Sequence, residues 1–225
     1  MDKWITFDCY GTLIDWRLGM IQALEIVSSG NAHEIMAQYR RVEFEVELEP
    51  YQLYRQVKSQ TVRRIVNELG IAMRPGDEDI LTVTMPFWPV FDDSNAALCA
   101  LKSRGYKLAI LSNVDRDIIS GTLRHFDVVF DLIITAQDVS SYKPRDAHAK
   151  KFLEVTGVKP GNWLYAAYDL DYDLQAAGRS LGAGCVWVNR DKKESTDTSF
   201  LVADLPDIST LPEVATRYFS TPQIA

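Results

Sequence analysis

From about Asn95 onward, short apolar runs alternate along the chain with segments of helical pattern. The apolar runs predict strands at "KLAILS", "LIITA", "WLYAA" and "GCVWVN". The segments beside and between them predict helices at "NAALCALKSRG", "RDIISGTLRHF", "AHAKKFLEVTG" and "LQAAGRSLG". Strands joined in this way by helices are typical of right-handed βαβ units, whose parallel sheet is covered on both faces. The alternation therefore predicts a doubly wound α/β fold.

The N-terminal part of the chain contains one further strand and then a change of pattern. The stretch "KWITF" predicts a strand that ends at Phe7 and belongs to the same sheet. From about Trp16 to Met85, apolar residues recur at three and four positions, as in amphipathic helices. The proline-containing stretch "MPFWPVFDDS" is typical of a linker back to the sheet. We therefore predict a core of residues 1–16 and 91–225, with an all-helical cap of residues 17–90 inserted into it.

Composition limits the partners that this chain can have. At 225 residues and 47% hydrophobic content, the chain is long enough to bury a full core. A net charge of -7 argues against nucleic acid and anionic membranes, because both require a basic surface. We therefore expect neither partner. A small anionic substrate, held by a few local cations, remains compatible with this charge.

The cysteines and the N-terminus bear on location. Cys9, Cys99 and Cys185 are scattered, which suggests neither a disulfide framework nor a zinc site and favours a reducing compartment. No apolar run approaches the roughly 18 residues of a membrane span. The first residues contain acids and a strand where a signal peptide would have a basic start and an apolar stretch. We therefore expect a cytoplasmic protein.

Chemically active side chains follow the predicted strands. In an open parallel sheet the carboxyl ends of the strands lie along one edge, where ligands bind. The residues at this edge are Asp8 after the first strand, Ser112 and Asn113 in "LSNVD", Lys143 in "QDVSSYKPRD", and Asp169, Asp171 and Asp173 in "YDLDYDL". Together they predict a single site with a nucleophilic carboxylate, hydrogen-bond donors, a lysine and an acidic group.

These stretches resemble the signature motifs of the haloacid dehalogenase superfamily. The resemblance runs from Phe7 to Arg190, and the helical insertion lies where one branch of the superfamily has its cap. It implies a Rossmann-like core, Asp8 as the nucleophile and Lys143 as its partner. Because members of one fold catalyse different reactions, the resemblance alone does not give the function.

Tyr10 discriminates among these reactions. Phosphatases of the superfamily have a second aspartate two residues after the nucleophile, which protonates the departing alkoxide. This chain has Tyr10 at that place, and "FDCYGTL" resembles the corresponding stretch of the L-2-haloacid dehalogenases. A halide ion leaves without a proton, so that reaction needs no acid there. Packing against the cap is the other interpretation of Tyr10.

The resemblance also implies roles for the other strand-end residues. Asp8 would attack the carbon that bears the halogen, and the resulting ester would then be hydrolysed. Lys143 would keep Asp8 ionised through opposite-charge attraction. Ser112 and Asn113 would donate hydrogen bonds to the substrate carboxylate or to Asp8, and Thr12 would offer a hydroxyl and a backbone donor.

A 2-haloacid also requires a cation for its carboxylate and an apolar pocket. In the dehalogenase branch an arginine of the cap faces the core, and Arg40 in "YRRVEFEVE" has the matching position. Arginine suits this role because its planar fork can donate two hydrogen bonds to a carboxylate. Neighbouring Arg41 is the alternative. Trp16, Phe87 and Trp88 are candidates for the halide pocket, although core or linker packing is the favoured explanation for each of them.

The acidic stretch after the fourth core strand departs from the family pattern. The metal-free dehalogenases have a serine and an asparagine before the final acid, whereas this chain has "AAYDLDYDLQAAG". Asp173 is our candidate for orienting the hydrolytic water, with Asp169 and Asp171 as alternatives. A magnesium site formed by Asp8, Asp169 and Asp173 also stays open at this point.

Three functions therefore remain open from the sequence. The first is a hydrolytic dehalogenase of small 2-haloacids that needs no cofactor. The second is a Mg²⁺-dependent phosphate or phosphonate hydrolase of the same superfamily. The third is a binding or regulatory member with weak catalysis. A homodimer is one assembly that the sequence leaves open.

Overall fold

The computed structural model describes residues 2–28, 30–195 and 197–221, and its centre is a six-stranded sheet. Every neighbouring pair of strands in this sheet is parallel. The strands are β1 (Trp4–Phe7), β2 (Lys107–Ser112), β3 (Leu132–Thr135), β4 (Trp163–Ala167), β5 (Gly184–Val188) and β6 (Leu201–Leu205). They follow the order β3-β2-β1-β4-β5-β6, which confirms the predicted doubly wound α/β core.

Ten α-helices are present in the described residues. They are α1 (Trp16–Ser28), α2 (Ala32–Glu47), α3 (Tyr54–Leu69), α4 (Ile80–Thr84), α5 (Ser94–Ser103), α6 (Arg116–Thr122), α7 (Ala136–Val139), α8 (Ala147–Thr156), α9 (Gln175–Leu181) and α10 (Leu211–Ser220). Two hydrophobic clusters of buried residues surround the sheet, and the larger one continues into the helices α1–α4. Among the described residues, no helix has the length and apolar character needed to cross a membrane.

The strand order reverses direction between β1 and β4. From β1, the chain places β2 and β3 on one side of the sheet and β4, β5 and β6 on the other. Phe7 is in register with Ile110 of β2 and with Ala166 of β4. The next residue, Asp8, therefore emerges at the reversal, where a crevice forms beyond the carboxyl ends of the strands.

The helices α1–α4 lie between β1 and α5, in the segment predicted to form the cap. The two chain crossings that connect this segment to the sheet lie side by side. Ile14 forms an antiparallel bridge with Val90, and the Asp15 N–H donates a hydrogen bond to the Pro89 carbonyl at 2.8 Å. The exact domain boundaries, residues 16/17 and 90/91, stay a prediction.

A carboxylate of the core holds one end of a cap helix. Asp115, which follows β2 and is 1% exposed, accepts hydrogen bonds from the backbone N–H groups of Tyr54 and Arg55 at 2.8 and 3.1 Å. These N–H groups begin α3 and have no partner within the helix. The carboxylate also complements the positive end of the helix dipole. Asp115 therefore attaches α3 to the core beside the strand ends.

Candidate active site

Asp8 lies at the base of a cavity between the strand ends and the cap, and it is 8% exposed. Thr12 Oγ1 donates to Asp8 Oδ2 at 3.1 Å and accepts from the Tyr168 N–H at 2.9 Å. The turn between Asp8 and Thr12 depends on Gly11, whose φ of 107° lies in the left-handed region. A Cβ atom on Gly11 would lie 2.9 Å from the Tyr168 ring. The loop after β1 therefore fixes one oxygen of Asp8.

Lys143 connects Asp8 with a second acid. Its Nζ donates to Asp8 Oδ1 at 2.8 Å, to Asp173 Oδ1 at 2.5 Å and to the Leu111 carbonyl at 3.0 Å. These contacts use all the hydrogens of the ammonium group. Burial lowers the pKa of Lys143, but Asp173 and Asp8 outweigh that effect and hold the pKa above its usual value. Lys143 is therefore a permanent positive charge between the two carboxylates.

Asp173 is the acid that the structure brings to Asp8. It lies in the π-helical turn Leu170–Leu174, which follows β4, and Tyr165 OH donates to its Oδ1 at 2.9 Å. Burial and the charge of Asp8 raise the pKa of Asp173 to about 7, against the opposing effect of Lys143. A carboxyl group with that pKa can accept a proton at neutral pH and release it again.

The other two acids of this stretch have different positions. Asp169 caps the turn, because its Oδ1 accepts from the Asp171 and Tyr172 N–H groups at 3.1 and 3.0 Å. Asp171 is exposed and does not line the cavity. Of the three acids left open by the sequence, Asp173 is the one in contact with Lys143.

Arg40 and Arg41 point in different directions from α2. Arg40 lines the cavity, where its Nη2 donates to Asp169 Oδ2 at 2.7 Å and its guanidinium lies 4.8 Å from the Tyr172 ring centre. Arg41 lies on the outer surface and pairs with Glu45 and Glu68 at 3.0 and 2.7 Å. The structure thus places Arg40, and not Arg41, at the site.

Tyr10, Ser112 and Asn113 all line the cavity. Tyr10 OH shares a hydrogen bond of 2.8 Å with Thr122 Oγ1, and burial raises the pKa of the phenol well above its ordinary value. The Asn113 side chain accepts from the Lys143 N–H at 2.8 Å and donates to the Lys143 carbonyl at 3.2 Å. Asn113 therefore positions the Lys143 backbone, and its hydrogen bond to the substrate carboxylate or to Asp8 stays a prediction.

The aromatic candidates for the halide pocket separate into two groups. Trp16 and Trp88 line the cavity, and the Tyr10 and Trp88 rings meet edge to face at 6.0 Å. Phe87 is 70% exposed and is not part of the cavity wall. The apolar side of the cavity is completed by Met20 and Met85, which the sequence analysis did not identify.

The sequence analysis also did not identify three charged residues of the cap that line the cavity. Glu43 and Glu47 from α2 and Lys58 from α3 line the cavity and are buried. We call these three residues the cap polar cluster. The spacing of Arg40, Glu43 and Glu47 by three and four positions places them on one face of α2, so their shared orientation was detectable in the sequence.

The arrangement of possible metal ligands bears on the magnesium site that the sequence left open. Within residues 2–28, 30–195 and 197–221, no group of three or more His, Cys, Asp or Glu side chains is arranged to hold a metal ion. Of the carboxylates suggested for magnesium, Asp169 is paired with Arg40, and both Asp8 and Asp173 with Lys143.

The fold and the site together define a capped protein with a Rossmann-like α/β core, in which a buried aspartate is held between a threonine and a lysine. The chain belongs to the haloacid dehalogenase-like hydrolase family, whose model matches residues 5–188. This match confirms the resemblance found in the sequence.

Two characterised relatives and one solved structure illustrate the similarity. The chain is 27% identical to (S)-2-haloacid dehalogenase 4A of Burkholderia cepacia, over 82% of this chain and 81% of the relative. It is 28% identical to (S)-2-haloacid dehalogenase H-109 of Pseudomonas putida, over 83% and 85% of the two chains. The L-2-haloacid dehalogenase of Xanthobacter autotrophicus, solved with chloropropionic acid covalently bound, has a TM-score of 0.80 at 19% identity. That alignment covers 96% of this chain and 99% of the other, and it supports the fold.

Proposed function

We propose that this protein hydrolyses the carbon–halogen bond of small 2-haloacids through an aspartyl ester, giving a 2-hydroxy acid and halide. The two relatives described above are (S)-2-haloacid dehalogenases. The observation that carries the proposal is the position of Tyr10, two residues after Asp8. Its phenol is engaged with Thr122 and its pKa is raised, so it is poorly suited to protonate a leaving group. Halide needs no such proton.

The first step forms the ester. A carboxylate oxygen of Asp8 attacks C2 of the substrate, and the halide leaves with the electron pair of the broken bond. Lys143 and Thr12 hold the two oxygens of Asp8, so the nucleophile is oriented before the substrate arrives. Because one displacement occurs at C2, the configuration of this carbon is inverted.

The second step hydrolyses the ester. Asp173 accepts a proton from water as the water attacks the carboxyl carbon of Asp8. Lys143 stabilises the negative charge that develops on the ester oxygen, because its ammonium already lies 2.8 Å from Asp8. Collapse of the intermediate releases the 2-hydroxy acid, which takes the proton from Asp173. The second proton of the water passes to solvent, and this restores the Asp8 carboxylate.

Arg40 binds the substrate carboxylate in this scheme. Its guanidinium is half-exposed at the cavity and has one carboxylate partner, Asp169. The substrate carboxylate would join or replace this contact through the planar donor fork. The proposed partner is thus a small anion, and the proposed location is the cytoplasm. Sedimentation equilibrium would decide between a monomer and a homodimer.

The test follows the oxygen atoms through a single turnover. Enzyme in excess over (S)-2-chloropropionate in ¹⁸O-water should give unlabelled lactate, while the peptide that contains Asp8 gains the heavy oxygen. The Asp8→Asn variant should release no halide, whereas Asp171→Asn, at an exposed acid outside the cavity, should retain activity. Labelled lactate together with an unlabelled Asp8 peptide would refute the covalent mechanism.

A further inference from the structure

The cap polar cluster contains a buried ion pair that faces the substrate cavity. Lys58 Nζ lies 3.1 Å from Glu43 Oε1, and the two side chains are 4% and 9% exposed. Tyr54 OH donates to the same oxygen at 2.9 Å. The pair joins α2 to α3, and both residues line the cavity that contains Asp8.

Glu47 extends the cluster by one helical turn. Tyr172 OH donates to Glu47 Oε2 at 3.1 Å, and Asn113 Nδ2 lies 3.5 Å from Oε1. Burial and the charge of Glu43 raise the pKa of Glu47 to about 8. At neutral pH, Glu47 therefore mostly carries a proton that it can donate.

The ammonium of Lys58 has hydrogen-bonding capacity left for a ligand. Its Nζ lies 4.7 Å, 4.8 Å and 5.9 Å from the ring centres of Tyr39, Tyr54 and Trp88. Glu43 is the carboxylate with which it pairs in the described part of the chain. An ammonium group has three hydrogens, so this one contact leaves donors available.

A 2-haloacid with an unsubstituted alkyl side chain would form few favourable contacts with the cap polar cluster. A 2-haloacid such as 2-chlorobutanoate would cover the cluster with methyl and methylene groups, removing water without offering a hydrogen bond. Buried ion pairs are seldom needed for stability, since well-packed apolar residues often replace them at no cost. The cluster is therefore better explained by a polar substrate group than by packing.

The charges of the cluster indicate which polar group fits. A second substrate carboxylate would face the negative charge of Glu43, and an ammonium group would face Lys58. A neutral group that both accepts and donates, such as a hydroxyl, can bind Lys58 and a glutamate together. We propose that the preferred substrates are 2-haloacids with such a group on the side chain, recognised by Lys58, Glu43 and Glu47. This inference rests on the proposed dehalogenase function.

The experiment compares substrates of similar size in two proteins. Halide release is measured from 2-chloro-3-hydroxypropanoate, 2-chlorobutanoate and 2-chlorosuccinate, each with an enzyme-free blank. The test variant combines Glu43→Gln with Lys58→Met, so that no unpaired charge stays buried. The control is Arg63→Met, at an exposed residue of the same helix that pairs with Glu78 on the surface. Calorimetry of the products glycerate and 2-hydroxybutanoate measures recognition without turnover.

We expect the wild type to prefer the hydroxylated substrate over 2-chlorobutanoate by at least tenfold in kcat/KM, because a site built for a hydroxyl discriminates strongly against its absence. The double variant should lose this preference and the control should keep it, and glycerate should bind the wild type more tightly. A preference for 2-chlorobutanoate or 2-chlorosuccinate would overturn the inference. So would a double variant that loses thermal stability but keeps the wild-type ratio, as a purely structural pair would. Halide release from none of the substrates would instead refute the proposed function.

Discussion

Asp173 and Asp8 are neighbouring carboxylates with different surroundings. Both contact Lys143, but Asp8 accepts a hydrogen bond from Thr12, whereas Asp173 accepts one from the Tyr165 phenol. The pKa of Asp173 is raised to about 7. We expect Asp173→Asn to form the ester and to hydrolyse it slowly, because the amide cannot accept the proton of water. Rapid-quench measurements should show a burst of about one halide per active site, and mass spectrometry should detect the ester on the Asp8 peptide. A variant that turns over steadily without a burst would argue against this role.

The pKa of Asp173 also predicts the pH dependence of hydrolysis. Its pKa is raised from 3.8 to about 7, so the group is protonated below that pH and ionised above it. Only the ionised form accepts a proton, so ester hydrolysis should slow as pH falls and level off at higher pH. The ester removes the charge of Asp8 that helps to raise this pKa, so the midpoint should lie below about 7. Single-turnover rates between pH 4.5 and 8.5 would show this decline. A rate independent of pH across this range would contradict the assignment.

Arg40 and Arg41 provide a test variant and its control on the same helix. Arg40→Lys keeps the charge in the cavity but loses the planar fork, so we expect KM to rise about tenfold with a smaller change in kcat. Arg41→Lys alters the outer surface of the same helix and should leave both constants unchanged. Steady-state kinetics with (S)-2-chloropropionate would check both variants. The opposite pattern would move the carboxylate site to Arg41.

At the level of elements, α3 depends on a carboxylate from another part of the fold. Asp115 accepts from the first N–H groups of α3, and its removal leaves them without that partner. We expect Asp115→Ala to lower the free energy of unfolding by about 1–2 kcal/mol, the usual cost of losing a helix cap. Hydrogen exchange should increase at the start of α3. Asp117→Ala, which removes an exposed partner of Arg55, is the control and should change stability by less than about 0.5 kcal/mol. Equal losses in the two variants would show that the cap contact is unimportant.

The secondary-structure elements differ in how clearly the sequence predicts them. The strands β1 to β5 were predictable because each is a local apolar run, and "GCVWV" of β5 is buried at every residue. The strand β6 was missed because it lies at the sheet edge, where its residues alternate between partly buried and exposed. It also follows the polar stretch "NRDKKESTDTS", whose described part is irregular.

For the whole molecule, the topology explains why much of the site was predictable. Parallel strands bring their carboxyl ends to one edge, so Asp8, Ser112 and Lys143 could be grouped without knowing any distance. Asp173 could be chosen among the three acids only when the conformation of the turn after β4 was known. The cap polar cluster could be identified only when the packing of α2 on α3 against the core was known. Such contacts join distant parts of the chain and leave no local pattern.

Metal independence is a prediction for the complete enzyme. Lys143 supplies the positive charge beside Asp8 that a divalent ion would otherwise bring. We therefore expect halide release to be unchanged by EDTA and by added Mg²⁺, with no phosphate released from an aryl phosphate under either condition. Loss of activity in EDTA and its recovery with Mg²⁺ would favour the phosphohydrolase alternative.

The pairing of Ile14 with Val90 brings the two ends of the helical insertion together, so the insertion can be exchanged as one unit. Because Asp15 and Pro89 are already hydrogen-bonded neighbours, a short turn could join them and close the chain without α1–α4. Asp8 and Lys143 would stay with the core, while Arg40 and the cap polar cluster would leave with the insertion. Exchange of this helical insertion between related chains is thus a route by which one hydrolytic site could acquire new substrates.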